Sequence, residues 1–148
     1  MPQTWKKLEE AAGELADFGR IRLDGKVAYL ATVSDSGWPR IHPVTPIIGD
    51  GMCFIFAEPD SSKVRDLKAN GRFALHCGMT DSSGSSGEFK VSGLVREITD
   101  PAVRTSAEAV CSFRPSGRYL LFELMPVEVV STSWRGGRPD RQRWAEAH

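Results

Sequence analysis

The run EPDSSKVRDL, residues 58–67, sets Ser61, Ser62 and Lys63 where an apolar stretch gives way to a short helical pattern. The start of a helix carries unpaired backbone N–H groups and the positive end of the helix dipole, so it suits an anion. Two hydroxyls and an ammonium placed there could cap the helix, bind a negatively charged group, or do both. Lys63 is the informative member, because a cation in the first helical turn is disfavoured unless an anion lies nearby. Other chemistries find less support. There is no Cys-x-x-Cys pair and no two histidines at helical spacing. His76 and Cys77 are neighbours on a predicted strand, so they point to opposite faces and cannot share a metal. No metal site is therefore expected. Gly-x-Ser-x-Gly elbows and phosphate-binding glycine loops are absent from the sequence, which removes the usual hydrolase and P-loop readings. No side chain stands out as a general acid or base.

These residues must be positioned by a scaffold of 148 residues, enough for one domain spanning 1–148 with a usable core. Nineteen basic residues balance 19 acidic ones, so no global field draws nucleic acid or an anionic membrane. The arginine-bearing tail RGGRPDRQRW, part of residues 135–148, is expected to be solvated or to contact a dimer partner rather than to bind RNA. No apolar run reaches bilayer length, and MPQTWKKLEEAAGEL reads as amphipathic rather than as a signal peptide. Cys53, Cys77 and Cys111 are odd in number and far apart, which predicts reduced thiols and a cytoplasmic protein.

Within residues 1–20, Trp5, Leu8, Ala12, Leu15 and Phe18 recur at helical spacing and predict one amphipathic helix over roughly 4–19. KVAYLATV is an apolar β-branched strand followed by the turn residues SDSGWP. RIHPVTPII and MCFIFA read as two strands around the hairpin signal Asp50-Gly51. Pro43 and Pro46 lack amide donors and put the first arm at an edge or a bulge. SSKVRDLKANG is a short helix with Val64 and Leu67 inward and Asn70-Gly71 as its stop. RFALHCGM is a strand, TDSSGSSG a flexible loop, and EFKVSGLVREI a half-buried strand of period two. Asp100-Pro101 opens another helix, with Val103, Ala107 and Val110 as its core stripe. RYLLFELMPVEVVSTSW supplies one or two closing strands. Trp5, Trp38 and Trp144 are read as packing aromatics. Six or seven strands with few helices and short turns predict a mostly β, antiparallel barrel with peripheral α-helices. So thin a barrel leaves an apolar face for a second copy to cover.

From Val27 to Leu75, LATVSDSGWPRIHPV and DGMCFIFAEPDSSKVRDLKANGRFAL resemble the pyridoxamine 5′-phosphate oxidase-like family of flavin-binding split barrels. The resemblance rests on Ala31-Thr32-Val33, the turn Asp35 to Pro39, His42-Pro43-Val44, Ser61-Ser62-Lys63 and Asn70-Gly71-Arg72, in that order. It continues more weakly through KVSGLVREI and MPVEVVSTSW. It implies a homodimeric split barrel that holds FMN between subunits. Lys63 would then be the point charge on the FMN phosphate, with Ser61 or Ser62 and the helix amides adding hydrogen bonds. His42 would lie near the phosphate and the backbone of Val44 and Thr45, after Pro43, along the ring. Phe56 and Ala57 resemble the pair flanking the isoalloxazine, while Glu88, Trp134 and Arg143 match positions that contact the cofactor from the second subunit. The sequence departs from the oxidase branch in four places. His42 replaces an arginine, Ser62 replaces a second basic residue, Ile47 stands near the position of a lysine, and the tail lacks an Arg-x-His pattern, that lysine and that pattern being used for pyridoxal phosphate.

The function this implies is FMN-dependent redox chemistry, with hydride from a reduced nicotinamide (NADH or NADPH) or a substrate passed to a small-molecule acceptor. A deazaflavin coenzyme on the same fold, or a non-catalytic module storing flavin or haem, are the alternatives.

Overall fold

The computed structural model describes residues 3–146; the first two residues of the expected N-terminal segment and the last two of the tail lie outside the described residues. In chain order the elements are α1 (Trp5–Ala11), α2 (Gly13–Leu23), β1 (Ala28–Val33), β2 (Pro39–Val44), β3 (Ile47–Gly49) and β4 (Met52–Ala57). They continue as α3 (Ser62–Asn70), β5 (Arg72–Cys77), β6 (Glu88–Ile98), α4 (Pro101–Ala109), β7 (Leu120–Arg135) and β8 (Arg138–Ala145). Local chemistry sets most boundaries. Asp50 and Gly51 both take positive φ, 53° and 75°, as a tight β3–β4 hairpin turn requires. Asp100 caps α4 by accepting from the Ala102 amide at 2.9 Å, with Pro101 in the first turn. Gly71, at φ 71°, ends α3 in the left-handed conformation.

The strands form one antiparallel sheet in the order β2-β1-β5-β6-β7-β4-β3, with β8 also paired to β7. The long β7 gives its first half to β4, through Phe54↔Glu123, and its second half to β8, through Glu128↔Ala145. β2 and β3 end the path on opposite edges, yet only Thr45 and Pro46 separate them in the chain. Three residue steps span at most about 11 Å, so the sheet must curl until its two edges meet. The result is a split β-barrel, closed by a connector instead of by a ladder.

Three expectations are corrected by this architecture. Residues 4–19 do not form one helix: Ala12, at φ −149° and ψ 67°, separates α1 from α2. Gly13 weakens helical continuity, and the break lets α1 lie on β4 and β7 while α2 lies on β6 and β3. RIHPVTPII is two strands on two different partners, because the edge strand β2 must leave β1 to reach the other side of the seam. The arginine-bearing tail is an eighth strand, turned back at Gly136 and Gly137 (φ 58° and 77°) onto the open edge of β7.

The interior is filled by Leu30, Ile55, Leu75, Phe89, Val91, Phe122 and Leu124, with Trp5, Leu8, Leu15 and Leu23 closing it from the helices. Gly19 lets α2 approach β6: a Cβ there would stand 2.4 Å from the Phe89 ring. Opposite Ser92 and Gly93 the register slips by one residue at Val127. A side chain at Gly93 would meet the Met125 carbonyl oxygen, so this bulge admits only glycine. Trp5 and Trp144 pack as expected, but Trp38 stands 72% exposed on its turn and Val110 lies at the surface beyond α4. The loop after β5 has no regular structure, yet Arg22 clamps it by donating to the Gly78 and Gly87 carbonyls at 2.9 and 2.7 Å.

Candidate functional site

The start of α3 divides its three polar residues between two jobs. Ser61 is the cap: its Oγ accepts from the Val64 amide at 3.4 Å and donates to the Glu58 carbonyl at 2.7 Å. Ser62 and Lys63 are half-buried, and among the described residues neither side chain has a hydrogen-bond or ion-pair partner. Lys63 thus sits at the positive end of a helix with no ion-pair partner among the described residues, an arrangement that suits an anion.

Below it, α3 turns Asp66 inward. This carboxylate is 2% exposed, accepts from the Thr32 hydroxyl at 2.7 Å, and lies 3.4 Å from Arg40 Nε. Thr32 Oγ1 is also 2.9 Å from His42 Nε2. The hydroxyl has one proton and gives it to Asp66, so His42 must be the donor in the second bond and carry its proton on Nε2. The imidazole is held below its ordinary value by burial, by Lys63 and by Arg40, against the opposing pull of Asp66. His42 thus faces the Lys63 corner as a neutral ring.

Beside this corner lies a cleft of about 330 Å³ walled by Pro43, Val44 and Thr45 from β2 and its connector, by Phe56, Ala57 and Glu58 from β4, and by Lys63, Phe113 and Tyr119. It sits at the split, where the two sheet edges approach. Its floor is aromatic. Phe113 meets Phe56 edge-on at 6.5 Å, and the Arg104 guanidinium from α4 lies 5.2 Å from the Phe56 centroid. Arg104 also donates to the Tyr119 and Ser116 carbonyls at 2.6 and 3.2 Å, which ties the segment after α4 to this wall. Sequence reasoning missed Asp66, Arg104, Phe113 and Tyr119; only the two aromatics of CSFRPSGRY offered a signal, without a partner to interpret it.

A family model described as pyridoxamine 5′-phosphate oxidase matches residues 17–133. The chain belongs to the pyridoxamine 5′-phosphate oxidase family. Among solved structures with the same split-barrel fold is a haem-binding protein from Mycobacterium smegmatis, at 17% identity and TM-score 0.67; the alignment covers 83% of this chain but only 55% of that one. The haem storage protein HutZ from Vibrio cholerae follows at 15% identity and TM-score 0.56, covering 74% and 87%. A NimC/NimA family protein from Clostridium acetobutylicum matches at 15% identity and TM-score 0.65, covering 86% and 92%. At such identities the likeness concerns the fold. Direct sequence comparison with curated proteins gives no match.

Within this family member the sequence-derived residues fall into two groups. Pro43, Val44, Thr45, Phe56, Ala57 and Lys63 line one cleft, with His42 and Ser62 at its charged corner. Glu88, Trp134 and Arg143 are elsewhere. The pairings Glu88↔Thr132, Lys90↔Val130, Val130↔Arg143 and Trp134↔Pro139 put them on one outward sheet face with His76 and Tyr29. Arg143 is held there by Glu128 at 2.9 Å, and Trp134 is exposed. Through Tyr29↔Pro43 the same face runs to the rim of the cleft. Among the described residues no helix is long and apolar enough to cross a membrane.

Proposed function

We propose that the chain binds FMN in the cleft at the barrel split and works as a cytoplasmic flavin-dependent oxidoreductase on a small-molecule acceptor. The observation that carries this reading is Lys63, without an ion-pair partner among the described residues, beside an aromatic-floored cleft whose walls include Pro43, Val44, Thr45, Ala57 and Glu58. The donor set fits the cofactor: Ser62, Lys63 and the amides that open α3 suit a terminal phosphate, and backbone groups of Val44 and Thr45 suit the polar edge of a ring. When bound, the flavin supplies hydride and electron transfer. The protein's part is to seat the phosphate at Lys63, hold the ring against Phe56, and exclude water with Phe113 and Tyr119. NADH or NADPH is the natural class of reductant.

A homodimer belongs to the same proposal. The face bearing Tyr29, Ile41, Trp134 and Arg143 presents exposed apolar side chains, Ile41 at 71% and Tyr29 at 45%. A second copy seated on it would bring groups of that face to the neighbouring cleft.

Haem binding is a second reading, and one side chain favours it. His76 Nδ1 lies 2.7 Å from the Cys77 carbonyl, so in the neutral ring Nδ1 carries the proton and Nε2 keeps its lone pair on the outward face, 3.9 Å from Glu88. A nitrogen prepared in this way would suit a bond to haem iron, and two fold neighbours are named for haem. The absorption spectrum of purified protein, with mass analysis of the heat-released chromophore, tests both readings. Flavin bands and FMN support the first, and a released deazaflavin would replace FMN as the cofactor. A haem band lost in His76→Ala would support the second. A protein with no affinity for added FMN overturns the proposal.

A further inference from the structure

Resting on the FMN reading, we propose that the His42 corner is a proton-linked clamp for a phosphomonoester. His42 Nδ1 takes one proton from solvent when a dianionic phosphate docks against Lys63, and Thr32 and Asp66 are the positioning residues that impose this.

The groups facing His42 are Lys63 and Asp66 from α3 and Arg40 from β2, while β1 contributes the uncharged Thr32. Arg40 and Asp66 offset each other at 3.4 Å. Glu58, on the wall of the same cleft, is offset by Arg118 at 2.9 Å, so one fixed positive charge, Lys63, is left for the ligand. A terminal phosphate above its second ionisation, near pH ~6, carries about two negative charges. The deficit is one charge, and His42 is the group able to supply it.

Tautomer decides how it does so. Nε2–H is committed to Thr32, whose own proton is committed to Asp66. Nδ1 has no partner among the described residues and is a bare acceptor in the neutral ring. A phosphate oxygen is an acceptor too, so the two repel until Nδ1 is protonated, after which the contact becomes a charge-assisted donor bond. Without the Thr32–Asp66 relay the neutral ring could move its proton to Nδ1 and donate with no uptake. A phosphodiester, with a single charge, is balanced by Lys63 alone and draws no proton. The corner therefore selects a monoester by charge.

The test is the dissociation constant of FMN, riboflavin and the cyclic phosphodiester of riboflavin between pH 7 and 8, where the monoester is already a dianion. For the wild type, FMN binding should weaken as pH rises, approaching about tenfold per pH unit, while riboflavin and the diester stay flat. His42→Arg, at a half-exposed position, should bind FMN more tightly with no slope. Thr32→Val should flatten the slope, and Thr32→Ser, which keeps the hydroxyl, should retain it. FMN that binds with a pH profile parallel to riboflavin, or a slope that survives in His42→Arg, overturns the clamp and leaves the cofactor reading intact. If none of the three ligands binds, the cofactor reading falls and the clamp falls with it.

Discussion

Replacing Lys63 with alanine separates ligand binding from folding more cleanly than any other single change. The ammonium is half-buried, in the first turn of α3, with no carboxylate partner among the described residues. Its removal costs the folded protein no ion pair. It relieves a cation at the positive helix end, worth about 0.3–1 kcal/mol, and alanine is the better helix former. Thermal stability should hold or rise slightly. A phosphate seated at Lys63 would lose one charge-assisted hydrogen bond, about 1.5–3 kcal/mol, which is about 10–150-fold in affinity. Fluorescence titration gives both constants: FMN should weaken by that factor, and riboflavin, which has the ring without the phosphate, should not change. Solvent screening of a half-exposed group favours the lower half of the range. An FMN constant equal to the wild type, or equal weakening of both flavins, would refute the placement of the phosphate at α3.

Asp66→Ala should cost about 1–3 kcal/mol of stability in urea unfolding, since it leaves the buried Thr32 hydroxyl without its acceptor; the half-exposed Arg40 can turn to solvent, which keeps the loss below that of a fully buried pair. Gly93→Ala should be worse, about 3 kcal/mol or more, because its Cβ would collide with backbone at Met125 and Val127 that side-chain rotation cannot relieve; near-normal expression and melting would contradict the bulge. His42 adds a pH term of definite sign. Its folded form holds a proton less readily than the ordinary value of 6.5, so the unfolded chain protonates first as pH falls. Stability in the ligand-free protein should decline below pH 6.5 and level off once the folded ring is also protonated. His42→Gln should remove that portion of the decline, measured as melting temperature against pH.

What could be read from the sequence was whatever is decided within a few residues. Asp50-Gly51, the Ser61 cap, Gly71 and Asp100-Pro101 act through local dihedrals and neighbouring amides, and each marks a real boundary. The period-two pattern of EFKVSGLVREI likewise reports a half-buried strand. Features that depend on distant partners were illegible. Pro46 looks the same whether a strand continues or crosses a seam, and only the destination of β3 distinguishes the two. β8 is polar because one side faces water, so its composition reads as a tail although its backbone completes the edge of β7. Asp66, in SSKVRDLKANG, looks like a solvated helix residue; Thr32, Arg40 and His42 make it a buried anchor. Trp38 misleads in the other direction, since an apolar type carries no statement about the exposed turn that bears it.

The Thr45-Pro46 link also sets the gauge of the slot. Both walls of the cleft, Val44 on one strand and Phe56 on the hairpin that follows, are leashed by the same two residues. Each inserted residue would lengthen the leash by at most about 3.5 Å, close to the thickness of one aromatic ring. Loop-length variation at this point, more than substitution of the lining, is therefore the economical route by which such a barrel could come to admit thicker or stacked guests.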